Sequence, residues 1–305
     1  MSDAPSIKKF LSQFSESELH FAEQVNLQKM TTMKLNATGQ LLRIKNIPTL
    51  QKVLAYFFDH QIPYKMLGWG ANLLLPECAE HIYIQLEFPF DRSIFEEVRK
   101  EYECPASLSL AVLTSHASKH GLKGWEVFTG IPASLGGAIV MNAGTNLGEI
   151  GSVVESVKIV NAQGELREEV IDARSFSYRQ NHFLNKGDVV VSAVLKHNGI
   201  DTSIRDQIKH YLEMRNKTQP LKEATCGCIF KNKLSSGKVH RAGQYIDLLG
   251  LKGLQYHHLQ VSLKHANFME NKGDSTYTEV LTFMNIIKDE LKLNYGIDFD
   301  IEVEY

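Results

Sequence analysis

Ala224-Thr225-Cys226-Gly227-Cys228-Ile229-Phe230-Lys231-Asn232 sets a glycine beside a thiol, then an apolar pair, then a cation and an amide. Glycine lets a backbone turn sharply and approach a ligand closely. Ile229 and Phe230 would anchor such a turn in a core. Lys231 and Asn232 would then aim donors at an anionic, oxygen-rich molecule. The same residues also read as a buried strand with two inert reduced cysteines, since free cysteine is among the most buried residue types. The stretch alone leaves both readings open.

Composition narrows the field. The chain has 305 residues, enough for two or three domains. Its formal net charge of −2 offers no basic field for nucleic acid. Cys78, Cys104, Cys226 and Cys228 are too few and scattered for a disulfide scaffold. Cys226-Gly227-Cys228 has no second Cys/His pair at zinc spacing, and the His residues do not cluster, so no metal site is expected. The first six residues lack a basic segment leading into an apolar one, and no apolar run nears the roughly 20 residues that cross a bilayer. A cytoplasmic protein without a membrane partner is expected.

Outward from that stretch the pattern is mixed. Downstream, Ala242–Gly253 reads as a short helix closed by Gly250, and Val261–Phe268 as a strand or loop carrying polar groups. Thr276 and Glu279 form a capping box for a helix from Tyr277 to Leu293, and Asp298–Glu304 reads as a last strand. Upstream, residues 202–215 read as a helix, with a domain boundary near residue 198. Residues 154–160 and 166–170 form a hairpin around Asn161-Ala162-Gln163-Gly164, and residues 188–196 are strongly β-prone. The helical spacing of Ile7, Phe10, Leu11 and Phe14 predicts an amphipathic helix over 5–25. A strand over 31–44, a helix over 50–60, a short strand over 64–67 and a helix over 108–120 capped by Gly121 complete the pattern.

Two glycine-rich segments stand out. Gly68-Trp69-Gly70-Ala71-Asn72-Leu73 follows a strand, an arrangement whose free N–H groups can cradle phosphate. It is not the dinucleotide fingerprint, and by itself an ordinary tight turn accounts for it. Residues 130–144 hold four glycines yet are largely apolar, which predicts buried backbone in need of hydrogen-bond partners. A ligand rich in acceptors, such as a dinucleotide, would supply them; a glycine-rich helix contact is the other reading. No serine-hydrolase elbow, metalloprotease helix or nucleotide P-loop is present.

Seven segments occur in one order: Gly68-x-Gly70-x-Asn72-Leu73-Leu74; Gly130-Ile131-Pro132 through Gly136-Gly137-Ala138 to Asn142-Ala143-Gly144; Tyr178-Arg179; Gly227 to Asn232; Ala242-Gly243 to Gly253; Val261-Ser262-x-x-His265-Ala266-Asn267-Phe268; and Glu302-Val303. From about Met30 to the end the chain resembles the UDP-N-acetylenolpyruvoylglucosamine reductases, the MurB family. Without an extra tyrosine-bearing insertion it resembles their shorter, type II form.

The resemblance implies an α+β protein: an N-terminal helical extension over 1–29, an FAD-binding module of two α/β subdomains over 30–198, and an α+β substrate-binding domain over 199–305. It implies FAD as cofactor and NADPH as co-substrate in peptidoglycan precursor synthesis. It places FAD against Gly68, Trp69, Gly70, Ala71, Asn72 and Leu73, and against Gly130, Ile131, Pro132, Ala133, Ser134, Gly136, Gly137, Asn142, Ala143 and Gly144. Arg179 and Glu302 would stabilise an enolate-like intermediate, Glu302 with a raised pKa. Cys228 would donate the proton, where the family commonly has Ser. Tyr178, Lys217, Gln219, Asn232 and His265 would meet the UDP-sugar substrate. A monomeric bacterial cytoplasmic enzyme is expected.

The chain departs from the family at Asn36 and Ala37 (usually Gly-Gly), Ala71 and Asn181 (usually Ser) and Lys233 (usually Pro). Ala71 removes a hydroxyl from the expected flavin side. Two other readings remain: another FAD-dependent oxidoreductase on the same fold, or a flavin-free paralogue acting as a binding protein.

Overall fold

A computed structural model describes residues 4–235 and 237–305. Residues 1–3, part of the stretch read for a leader, lie outside the described residues. The chain divides into two compact units. The first comprises residues 1–23, 40–68 and 80–212; the second comprises 24–39, 69–79 and 213–305.

The first unit begins with α1 (Ala4–Leu11) and β1 (Leu19–Asn26), followed by β2 (Thr38–Ile44), α2 (Ile47–Asp59), β3 (Tyr64–Met66) and β4 (Cys78–Leu86). The sheet order is β1-β2-β4-β3, with β3 and β4 parallel. The single helix expected over 5–25 is thus a helix followed by a strand. Ser12, Ser15 and Ser17 break the helical spacing, and Leu19, Phe21 and Val25 then alternate as a half-buried strand requires. Ile7, Leu11 and Leu19 are buried with Leu50, Val53, Leu54 and Phe57 of α2 in one core. The first 29 residues are therefore no separate extension. Asn46 caps α2 by accepting from Thr49 N at 2.9 Å, and Pro48 sits in its first turn, where no N–H is needed.

A second core in the same unit lies under β5 (Glu101–Pro105), α3 (Leu110–His120), α4 (Leu135–Val140), the short pair β6 (Gly144–Thr145) and β7 (Gly148–Glu149), the hairpin β8 (Val154–Val160) and β9 (Leu166–Val170), the short pair β10 (Phe176–Ser177) and β11 (Gln180–Asn181), and β12 (Val189–Lys196). The sheet order is β5-β12-β8-β9, antiparallel throughout. These two sheets match the two α/β subdomains expected. Gly121 ends α3 at φ 68°, and a Cβ there would lie 2.6 Å from Asp201 O. The boundary expected at residue 198 precedes α5 (Ile204–Thr218), but Ile204 and Ile208 of α5 are buried in this core. The division falls after Leu212 instead.

The second unit adds the hairpin β13 (Lys233–Ser235) and β14 (Lys238–His240), then α6 (Ala242–Leu248), the three-stranded β15 (Gln255–Tyr256), β16 (Leu259–Val261) and β17 (Met269–Asn271), and α7 (Tyr277–Tyr295). Its core joins Met33, Leu35 and Leu74 to Ile229, Phe230, Ile246, Phe283, Ile287 and Phe299. The capping box read from Thr276 and Glu279 is present in both directions, and Gly296 ends α7 at φ 65°. The strand expected over 298–304 forms single bridges only: Ile301 with Phe230, and Glu304 with Leu73. Among the described residues no helix is long and apolar enough to cross a membrane.

Candidate active site

In the second unit, residues 224–232 run between two partners. Cys228 bridges Phe268, Ile229 N donates to Asn267 O at 2.9 Å, and the Asn267 side chain closes on both polar groups of Phe230, at 3.0 and 2.8 Å. On the other side Lys231 N donates to Asp300 O at 2.9 Å, and Glu302 N donates to Ile229 O at 2.7 Å. The backbone of Glu302 is thereby pinned one residue from Cys228. Asn72 holds the same segment: its Nδ2 donates to Glu302 O at 3.0 Å, and its carbonyl accepts from Glu304 N at 3.0 Å.

The two cysteines of this stretch differ. Cys226 is fully buried, which pushes its thiol up to about 12 and keeps it protonated. Cys228 is half-buried. Gly227 between them has φ 82°, a conformation that suits glycine.

His265 is half-buried, with Nδ1 accepting from Asn267 N at 3.3 Å. Burial, with Lys252 and Arg215 adding repulsion, lowers its pKa and favours the neutral ring. Arg215 is a buried guanidinium that sequence reasoning missed; it donates through Nε to Gln219 Oε1 at 2.8 Å. An arginine in the last turn of an amphipathic helix was the available signal. Gln219 thus turns toward Arg215, whereas Lys217 is exposed. Asn232 is exposed and accepts from Ala242 N at 3.1 Å, holding the start of α6.

The glycine-rich turn at 69–71 fits an anionic ligand. Among the described residues, the N–H groups of Trp69, Gly70 and Ala71 meet no protein acceptor, although Gly70 is buried. The Gly70 carbonyl accepts from Thr32 N at 3.1 Å. A Cβ on Gly70 (φ 60°) would lie 2.1 Å from Met30 O, so only glycine closes this turn. The residues present therefore fit a pyrophosphate even though Ala71 lacks a hydroxyl.

In the first unit the segment 130–144 is for the most part half-buried or buried, with Pro132, Gly137 and Val140 exposed, and protein groups satisfy much of its backbone. Leu135 N reaches Leu108 O and Gly136 N reaches Ala106 O, both at 2.8 Å, and Ser134 Oγ caps Gly137 N at 3.3 Å. A Cβ on Gly136 would lie 2.8 Å from the Ala106 side chain, so this glycine serves packing. Pro132 and Gly137 are exposed; Gly130, Ile131, Ala133, Ala143 and Gly144 are half-buried. Asn142 is buried at φ 42° with its amide turned into protein. Arg179 occupies the two-residue turn between β10 and β11 at φ 56°. Its guanidinium donates to Gly144 O at 2.8 Å and Asn142 O at 3.4 Å, and lies 5.1 Å from the ring of Tyr178.

Comparison with known proteins gives this arrangement a lineage. Residues 219–305 match the model of the C-terminal domain of UDP-N-acetylenolpyruvoylglucosamine reductase, and residues 39–169 match an FAD binding domain. A UDP-N-acetylenolpyruvoylglucosamine reductase of Chlamydia pneumoniae is 33% identical over 91% of this chain and 89% of its own. The chain belongs to the MurB family. A second relative of that name, from Protochlamydia amoebophila, is 31% identical over 92% of this chain and 91% of its own. The solved MurB structure from Thermus caldophilus superposes with a TM-score of 0.76, covering 94% of this chain and 98% of that one at 28% identity. MurB membership establishes an FAD-dependent oxidoreductase of α+β fold, as the resemblance implied.

Proposed function

We propose that the chain reduces the enolpyruvyl ether of UDP-N-acetylenolpyruvoylglucosamine to UDP-N-acetylmuramate, with NADPH as reductant and Cys228 as proton donor. Bound FAD supplies the hydride relay between NADPH and the substrate's vinyl carbon. Trp69, Gly70 and Ala71 fit its pyrophosphate through their N–H groups; residues 130–144 are further cofactor contacts in this reading.

The chain's own residues then handle charge and protons. Hydride addition to the CH2 end of the double bond leaves negative charge spread toward the substrate carboxylate. Arg179 offers fixed guanidinium donors to that charge, and preorganised donors of this kind are usually the largest catalytic contribution. Glu302 acts on the same charge through a carboxyl hydrogen bond. Cys228 delivers a proton to the other carbon and is reprotonated from solvent, so each turnover consumes one NADPH and one proton. Asn232, His265, Lys217, Gln219 and Tyr178 are the substrate contacts in this reading. The reaction takes place in the bacterial cytoplasm, on a monomer.

The observation that carries the reading is the hydrogen bond from Glu302 N to Ile229 O at 2.7 Å, which pins the residue proposed to stabilise the anionic intermediate beside the proposed proton donor. The test is the visible spectrum of the purified holoenzyme. Yellow colour that bleaches with anaerobic NADPH and returns on adding UDP-N-acetylenolpyruvoylglucosamine is the expected result. Bleaching without recovery would indicate a different oxidoreductase. A colourless protein that takes up no added FAD would overturn the enzyme reading.

A further inference from the structure

Arg179 sits where its backbone is least comfortable. β10 and β11 pair Ser177 with Gln180, so Tyr178 and Arg179 are the two central residues of a tight turn. The positive φ of 56° at the second of them suits glycine, so a long side chain there holds backbone strain. Strain of this kind persists only where the surroundings over-determine it.

The surroundings here lead to one side chain. Asn142 Nδ2 donates to Ser177 O at 2.9 Å, holding the first strand of the turn, while the Asn142 carbonyl accepts from Arg179 Nη1 at 3.4 Å. Asn142 is itself strained at φ 42° and buried. Its Oδ1 accepts from Gly151 N at 3.1 Å, and its second Nδ2 proton goes to Glu149 Oε2 at 2.8 Å. Glu149 also pairs with Gly144, whose carbonyl accepts the other Arg179 nitrogen at 2.8 Å. A Cβ on Gly144 would lie 2.8 Å from Glu149 Cγ. Glu149 thus touches both backbone carbonyls' owners that hold the Arg179 guanidinium, through its side chain at one and its backbone at the other.

The geometry points to Glu149 as a positioning residue for Arg179, acting through Asn142. This rests on the reading that Arg179 stabilises the anionic intermediate. A carboxylate is the strongest acceptor for the Asn142 amide, and a charge-assisted bond fixes the amide's orientation. Without it a buried Nδ2 proton loses its partner, and Asn142 and the turn can relax. Displacement of about 1 Å in a catalytic group costs roughly 10²-fold in rate.

The test separates the two half-reactions in the holoenzyme by following flavin absorbance. In Glu149→Ala, flavin content and the rate of bleaching by NADPH are expected to stay within about twofold of wild type, while recovery of colour with UDP-N-acetylenolpyruvoylglucosamine slows about 10²-fold. Calorimetric affinity for the product should fall as well. Glu149→Gln keeps an acceptor oxygen and should recover most of the loss. The double variant Glu149→Ala/Arg179→Ala should be no slower than Arg179→Ala alone, because both changes act through one group. Equal losses in both half-reactions, additive losses in the double variant, or an unchanged recovery rate in Glu149→Ala would each overturn the proposal. Should Glu149→Ala fail to fold, Glu149→Asp, with its shorter arm, is read by the same measurements; loss of flavin from both would make Glu149 a structural part of the module and overturn it. An Arg179→Ala variant that recovers colour at the wild-type rate would instead remove the reading on which it rests.

Discussion

At the scale of single residues, chemistry is decided by a few ångströms of burial. Cys226 and Cys228 are two positions apart, yet one is sealed in the core with its thiol pushed up to about 12, and the other is half-buried. The sequence left the pair ambiguous because inert and reactive thiols have the same composition around them. We expect Cys228→Ser to retain much of the activity and Cys228→Ala to lose about 10²–10⁴-fold in steady-state turnover, the usual contribution of a positioned acid. Equal turnover in Cys228→Ala and wild type would remove the thiol from the mechanism. Gly70→Ala is expected to lose flavin, since its Cβ would lie 2.1 Å from Met30 O at a φ that alanine rarely adopts. Flavin stoichiometry after gel filtration checks this; a fully loaded variant would show that the turn at 69–71 does not hold the cofactor.

At the scale of elements, local signals were legible where the partner lies close in sequence. The hairpin of β8 and β9 has the bounds read from Asn161 to Gly164 because the turn chemistry fixes its register. The helix α7 was readable from its capping box alone. Thr276→Ala is expected to cost about 1 kcal/mol through loss of that cap, measured as a lower denaturant midpoint. An unchanged midpoint would mean that core packing alone fixes the start of α7. Where partners are remote the reading failed. In sequence β1 reads as a continuation of α1, because its strand character comes from pairing in a sheet. The segment 298–304 looked like one strand, but its two bridges go to residues as distant as Phe230 and Leu73. In the candidate site, the expected residues are named by family motifs, whereas Glu149 and Arg215 stand in none of the motifs read. The hydrogen bond from Asn142 Nδ2 to Glu149 depends on the strained turn at Asn142, and Arg215 is distinguished only by its burial, and neither is written in the sequence pattern.

At the scale of the whole molecule, buried polar groups couple stability to pH. His116 is buried against Tyr102, whose hydroxyl lies 3.0 Å from Nε2. Burial, with His120, Lys119 and His197 adding repulsion, lowers its pKa from 6.5 to about 4. The unfolded chain therefore binds a proton that the folded chain refuses over that range. Stability from this group is fully present above pH 6.5 and is lost as pH falls toward about 4. We expect the urea midpoint to fall across that window and the slope to be shallower in His116→Phe. An identical slope in that variant would assign the acid sensitivity to other groups.

The second unit draws core residues from early and late in the chain: Met33, Leu35 and Leu74 pack with Phe230, Phe283 and Phe299. Residues 213–305 expressed alone should lack those three side chains and show no cooperative unfolding by circular dichroism. The same weave sets a timetable during synthesis. Met33 and Leu35 leave the ribosome long before Phe299 exists, and at about 5–20 residues per second the interval is roughly fifteen seconds to a minute. For that time their apolar surface lacks its full native cover. Apolar surface left uncovered over such an interval is what makes partly made chains prone to aggregate.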